Sequence, residues 1–184
     1  LAVALAVVGL APATAASAAP EPPSADYASL VDVFVGTEGD YGNDMPAAQA
    51  PNGLAKVNPR TTPGRNNTEY DYAQSKISGF THTNLDGVGG SGGGGDLLVV
   101  PTSGSYTARP GTGTYAHPFS HDDEDAGPGF YSVGLGNVAG KDGAITGAPG
   151  TIEAEVAATT RSGVHRYAFP AGSTPSLVGD LETN

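Results

Sequence analysis

The residues best suited to chemistry gather around one glycine tract. Phe80, Thr81, His82, Thr83, Asn84, Leu85 and Asp86 lead into seven glycines among residues 87–95, and Asp96 stands on the far side. An imidazole, a carboxamide and two carboxylates thus rim a backbone that can adopt positive φ or approach a ligand closely. That is the inventory of a polar binding surface. Ordering so many glycines costs chain entropy, so a flexible Gly/Ser linker is the competing reading. The apolar flanks at 77–80 and 97–100 speak against it, because a linker inside one sheet is unusual. Gly87-Val88-Gly89-Gly90-Ser91-Gly92 fits the glycine spacing of a dinucleotide loop, but the strand before it and the helix after it are missing. Gly90-Ser91-Gly92 lacks the strand-to-helix context of a nucleophile elbow for the same reason.

The remaining candidates are scattered. His82, His117, His121 and His165 show no metal-binding spacing such as H-E-x-x-H. His165, beside Arg166 and Tyr167 in a strand-like stretch, reads as a structural hydrogen-bonder. His121-Asp122-Asp123-Glu124-Asp125 is the densest acidic run. It could hold Ca²⁺ through several carboxylates, yet it lacks the D-x-D-x-D-G spacing of a calcium loop, and a solvated acidic loop is the plainer reading. Asp40, Asp44, Asp86 and Asp96 flank two glycine-rich loops, but no spacing marks two of them as an acid/base couple. Asn66-Asn67-Thr68 is a formal glycosylation sequon.

These residues must be positioned by strands. The 184 residues carry a net charge of −11 and a pI near 4.4, which argues against nucleic acid and anionic membrane surfaces as partners. Cysteine is absent, so neither disulfides nor thiolate metal sites exist. Residues 1–10 are apolar but too few to span a bilayer. With Ala16-Ser17-Ala18 as an A-x-A cleavage site, residues 1–18 read as a secretory signal incomplete at its start. A core helix is the alternative, and Pro12 would end it. Residues 19–27 are a proline-rich lead-in, and 28–184 form one domain, expected to be cut before its end, of a secreted protein. Strand signals occur at 30–35, 54–58 (ended by Pro59), 77–83, 97–100, 103–106, 130–135, 151–158, 164–169 and 176–181, with one helical turn at 71–76. The clearest alternation places Ile152, Ala154, Val156 and Ala158 on one face. Arg161-Ser162-Gly163 then turns the chain into the next strand. Short strands with turns between them predict an all-β, antiparallel β-sandwich.

Several blocks taken together carry a resemblance. They are Val31-Asp32-Val33-Phe34-Val35-Gly36-Thr37, Gly39-Asp40-Tyr41-Gly42-Asn43, Pro51-Asn52-Gly53, Gly79-Phe80-Thr81-His82-Thr83-Asn84-Leu85-Asp86-Gly87, Gly95-Asp96-Leu97-Leu98-Val99-Val100-Pro101, Pro128-Gly129-Phe130-Tyr131 and Gly163-Val164-His165-Arg166-Tyr167. In this order they resemble the N-terminal domain of glycoside hydrolase family 92, the calcium-dependent exo-α-mannosidases. The resemblance implies a β-sandwich joined to a larger (α/α)₆ barrel that is absent here. It implies an inverting enzyme that removes terminal α-mannose, α-1,2-linked on N-glycans, with general acid, general base and Ca²⁺ ligands in the barrel beyond Asn184. The sandwich would pack on that barrel and wall part of the mannose pocket, making a mannose-containing glycan and the C-terminal catalytic domain its partners. By position in the matching loops, Phe34, Thr37, Asn43, His82, Asn84 and Asp86 are the implied substrate-binding residues, and the fragment alone is expected to be inactive. One departure is Gly90, where many members of the family carry Cys, with a longer glycine loop after it. The competing functions are a stand-alone carbohydrate-binding module and a structural sandwich, and the coding sequence after Asn184 separates them.

Overall fold

A computed structural model describes residues 26–39, 44–61, 68–85, 95–104, 116–136 and 150–181. Its strands are β1 (Ala48–Gln49), β2 (Lys56–Thr61), β3 (Lys76–Thr81), β4 (Leu98–Thr102), β5 (His117–Pro118), β6 (Glu124–Gly127), β7 (Phe130–Leu135), β8 (Ile152–Ala158), β9 (Gly163–Ala168) and β10 (Ser176–Asp180). Two 3₁₀ turns, Tyr27–Leu30 and His121–Asp123, complete the elements. One sheet runs β1-β2-β3-β4-β10, with β5 on the end of β3, and the other runs β6-β7-β8-β9. All strand pairs are antiparallel. The all-β, antiparallel sandwich expected from the sequence is the fold.

The two sheets meet over one core. Ala48, Val57, Ile77 and Phe80 from the first sheet face Tyr131, Val133, Leu135, Ile152, Ala154 and Val156 from the second. Burying each of the larger aliphatic and aromatic side chains among them stabilises the fold by roughly 1.5–3 kcal/mol. Phe80 and Tyr131 cross the interface edge to face at 6.2 Å, a favoured aromatic geometry. The alternation read in β8 holds: Ile152, Ala154 and Val156 are buried, while Glu153 and Ala157 face out. A smaller cluster of Leu98, Val100 and Val178 joins β4 to β10. Gly79 is needed there: it sits at φ +152°, and a Cβ would stand 2.7 Å from the Val99 carbonyl oxygen and 3.0 Å from Leu98 and Val100.

Several expected elements differ. Residues 30–35 form no strand. The Asp32 carboxylate accepts the Phe34 amide at 3.0 Å and the Thr37 amide donates to the Phe34 carbonyl at 3.2 Å, so local bonds fold the segment into a turn. In place of the helical turn expected at 71–76, residues 71–75 form a non-helical turn and Lys76 opens β3, because the Asp71 carboxylate takes the Ala73 amide at 3.0 Å. Pro59 and Pro101 lie inside strands instead of ending them. β1 pairs only with Lys56 and Val57, so beyond them one side of β2 needs no donor. Likewise β3 pairs with β4 only at Phe80 and Val99. Of the strand expected at 103–106, Ser103 and Gly104 are described and are not in one; the Thr102 hydroxyl donates to the Gly104 carbonyl there. The acidic run hides β6, which the sequence did not suggest.

Candidate functional site

The first motif loop, residues 33–37, is built on turn bonds. Thr37 is buried, and its hydroxyl donates to the Phe34 carbonyl at 2.7 Å. Its carbonyl accepts the Tyr72 amide at 3.0 Å, and the Gly36 carbonyl accepts the Asp44 amide at 3.4 Å. Phe34 packs edge-on against Tyr72, with ring centroids 5.7 Å apart. Tyr72 in turn stacks on His121 at 3.9 Å. Beside this loop lies an open cleft of about 550 Å³, with Val31, Asp32, Val35, Asp44, Gln49 and Lys56 in its walls. Apolar surface with a few polar groups is the usual lining of a small-molecule pocket.

The second motif loop is pinched at its base. The Gly95 amide donates to the Thr83 carbonyl at 3.1 Å and the His82 amide to the Asp96 carbonyl at 3.3 Å. The Thr83 hydroxyl donates to the Asp96 carboxylate at 2.8 Å. Asn84 is buried, its amide nitrogen donating to the Lys56 carbonyl at 3.1 Å and its oxygen accepting from Thr81 at 3.2 Å. Beneath it, burial pushes the Glu69 carboxyl up, against the opposing pull of Arg60 at 3.4 Å. Both His82 nitrogens are engaged: Nδ1 lies 2.9 Å from the Leu97 carbonyl oxygen and Nε2 lies 2.7 Å from Nε2 of His165. Of the six residues singled out by sequence, Phe34 and Thr37 share one loop and His82 and Asn84 the other. The hydrogen-bonding groups of Thr37, His82 and Asn84 are occupied within the domain. Asn43 and Asp86, like glycines 87, 89, 90 and 92–94, lie outside the described residues.

The acidic run at 121–125 is split by strand alternation. Glu124 turns inward and is almost fully buried. Its Oε1 accepts the hydroxyls of Tyr70 at 2.8 Å and Tyr131 at 2.6 Å, and its Oε2 lies 2.5 Å from His121 Nδ1. His121 Nε2 faces the Tyr72 carbonyl at 2.7 Å, so Nε2 must carry a proton and a second one lies between Nδ1 and Oε2. Burial, reinforced by the Glu124 charge and its hydrogen bonds, pushes both phenols well above their ordinary pKa. This network was missed from the sequence, since Tyr70, His121, Glu124 and Tyr131 share no motif. Among the described residues no group of three or more His, Asp or Glu side chains could hold a metal ion.

Residues 30–184 match the model of the glycosyl hydrolase family 92 N-terminal domain. The chain belongs to that family. The family 92 domain is similar in structure to the GH92 family glycosyl hydrolase ccman5, with 97% identity and a TM-score of 0.80 over 86% of this chain and 21% of that one. It is also similar to a family GH92 alpha-mannosidase from Bacteroides thetaiotaomicron, solved in complex with mannoimidazole. There the identity is 31% and the TM-score 0.68, over 84% of this chain and 19% of the other. A family GH92 inverting mannosidase from Bacteroides thetaiotaomicron VPI-5482, at 22% identity and a TM-score of 0.64, shares the fold. No curated protein matches. The family 92 domain therefore spans about a fifth of the length of the solved chains it matches. Among the described residues no helix is long and apolar enough to cross a membrane.

Proposed function

We propose that this domain is the N-terminal part of a secreted exo-α-mannosidase that hydrolyses with inversion, prefers α-1,2-linked mannose on N-glycans and depends on calcium. The observation that carries this reading is the 31% identity, over 84% of the chain, to an alpha-mannosidase solved with mannoimidazole. The domain's own part is positional. Inversion needs two carboxyl groups roughly 6.5–9.5 Å apart, one to protonate the leaving oxygen and one to activate water. We assign that pair, and the calcium ligands, to chain beyond residue 184. The loops at 33–43 and 82–96 then form one wall of the mannose pocket. Thr37, His82 and Asn84 act by fixing the loop backbones, because their hydrogen-bonding groups are already occupied. Phe34, Asn43 and Asp86 are assigned to the sugar itself, an apolar ring and two polar groups.

The test uses the natural full-length chain and residues 28–184 side by side. Mannose release from α-1,2-, α-1,3- and α-1,6-linked mannobiosides is followed by proton NMR, which also reads the anomer first formed, with and without chelator. The full-length chain should release β-mannose first, fastest from the α-1,2 disaccharide, and lose activity to the chelator. The domain alone should release none. Mannose release by residues 28–184 alone would overturn the division of roles. Retention of configuration would overturn the mechanism. A full-length chain without mannosidase activity, or sugar binding by the isolated domain as its sole property, would return the domain to the carbohydrate-binding modules.

A further inference from the structure

His82 closes the first sheet's side of the glycine loop, and His165 and Tyr167 stand on β9 of the second sheet. Residues 165 and 167 are two apart on a strand, so both side chains point to the same face. The contacts run in a line: Tyr167 hydroxyl to His165 Nδ1 at 2.7 Å, His165 Nε2 to His82 Nε2 at 2.7 Å, and His82 Nδ1 to the Leu97 carbonyl oxygen at 2.9 Å. A carbonyl only accepts, so His82 Nδ1 carries a proton. In neutral His82, Nε2 is then bare and must accept from His165 Nε2–H. His165 Nδ1 is bare in turn and accepts from Tyr167. The partners therefore assign every proton, and the three donors point one way, from β9 to Leu97.

The end of this line is a strained residue. Leu97 holds φ +55°, a left-handed conformation that costs a non-glycine residue roughly 1–2 kcal/mol. It stands two residues after Gly95, the last glycine of the tract, and its side chain is substantially exposed. Packing alone therefore does not account for its conformation, and the His82 bond grips its carbonyl. Close approach of the two sheets makes the line possible: a Cβ on Gly163 would stand 2.5 Å from Val57 and 3.5 Å from His82. Phe80 lies behind, about 6 Å from the rings of both His165 and Tyr167.

We propose that His165 and Tyr167 are positioning residues: they hold His82 in its Nδ1-protonated tautomer, and through it they fix Leu97 at the exit of the glycine-rich loop. The consequence for turnover rests on the reading above, in which that loop walls the mannose pocket; the tautomer and the loop anchoring do not.

The experiment uses the natural full-length chain with ¹⁵N-labelled histidine and compares wild type with His165→Phe, His165→Gln and Tyr167→Phe. The His82 signal is identified by its loss in His82→Gln. In wild type the His82 proton should sit on Nδ1. His165→Gln, whose amide still donates, should keep it there. His165→Phe leaves the Leu97 carbonyl as the one remaining group that favours the Nδ1 proton, so it should give a mixture of the two tautomers, and Tyr167→Phe should give a mixture with less of the Nε2 form. Amide exchange at residues 95–98 should quicken in His165→Phe and Tyr167→Phe and not in His165→Gln. Mannose release should fall about tenfold in kcat/KM in the same two variants, short of the roughly 10²-fold cost of a 1 Å misplacement. A His82 proton on Nε2 in wild type, or a tautomer and exchange rate that ignore His165→Phe, would overturn the proposal. Should the His165→Phe change prevent folding, Tyr167→Phe decides alone, since it removes one oxygen and keeps the ring. Expected tautomers with unchanged kinetics would support the relay and refute the loop's part in the pocket.

Discussion

Removing the two tyrosine hydroxyls that meet on Glu124 should destabilise more than the separate losses predict. Tyr70 and Tyr131 are fully buried, and both donate to the same oxygen, Oε1. A hydrogen bond to a charged group contributes about 1.5–3 kcal/mol. In Tyr70→Phe or Tyr131→Phe the oxygen keeps its other donor, so each change should cost about 1.5–2 kcal/mol, with Tyr131, the shorter bond, at the upper end. In the double variant Oε1 is left with no donor, and Glu124 is too buried for water to replace one. An unsatisfied buried acceptor adds about 1–3 kcal/mol. The double variant should therefore exceed the sum of the singles by about 1 kcal/mol, a coupling of the size seen for residues sharing a partner. Amide hydrogen exchange of peptides covering β6 and β7, measured in the full-length chain, reads the local opening free energy without requiring the whole protein to unfold in one step. Strict additivity would refute the reasoning, because it would mean that the two hydroxyls do not share an acceptor.

Three further outcomes follow from the same geometry. Burial first and the His82 charge second depress His165 to a pKa of about 4. Its folded value lies below the unfolded one, so the unfolded chain binds more protons between them and stability falls as pH drops from about 6.5 towards 4. Taken whole, the shift is worth about 3 kcal/mol; solvent screening of a half-buried ring reduces this to about 1–2 kcal/mol. Differential scanning fluorimetry across that range should show the fall, and His165→Gln should flatten it. Tyr70, Tyr131 and Tyr167 are all raised, chiefly by burial, so their contribution is intact below about pH 10 and lost above it; alkaline melts of Tyr167→Phe should show a shallower decline. Gly79→Ala should lower local stability by about 1–3 kcal/mol through overpacking against Val99, Leu98 and Val100, whereas Arg166→Ala, which removes an exposed partner of Glu155, should change the melt by less than about 0.5 kcal/mol; a reversed order would count against both.

What the sequence disclosed depended on how local the cause was. The hairpin of β8 and β9 was legible because Ile152, Ala154 and Val156 alternate and Arg161-Ser162-Gly163 supplies the turn. The segment at 30–35 misled because its β-branched residues read as a strand, while one carboxylate, Asp32, captures the Phe34 amide. Pro59 and Pro101 looked like terminators because a sequence does not reveal which side of a strand lacks a partner. β6 was concealed by charge: Glu124 faces inward onto two phenols and Asp125 faces out. At the candidate site the glycine loop and its rim were legible from residue type. The pairing of His82 with His165 was not, because it joins residues far apart in the chain through the twist of two sheets. Thr37, His82 and Asn84, marked as sugar ligands, have partners inside the domain, which only three-dimensional neighbours disclose.

The order of strands in the first sheet bears on how the protein is made. Val100 on β4 pairs with Val178 on β10, the last strand among the described residues. While a ribosome is still producing the second sheet, β4 has β3 on one side and no neighbour on the other, and Leu98 and Val100 lack the strand that covers them. An unpaired apolar edge of this kind recruits other chains, and closing a pairing so distant in sequence is slow. The nascent chain is thus most vulnerable to aggregation between the emergence of Val100 and that of Asp180. Slower translation after Asp180 would not help it, whereas a chaperone that masks the β4 edge until then would.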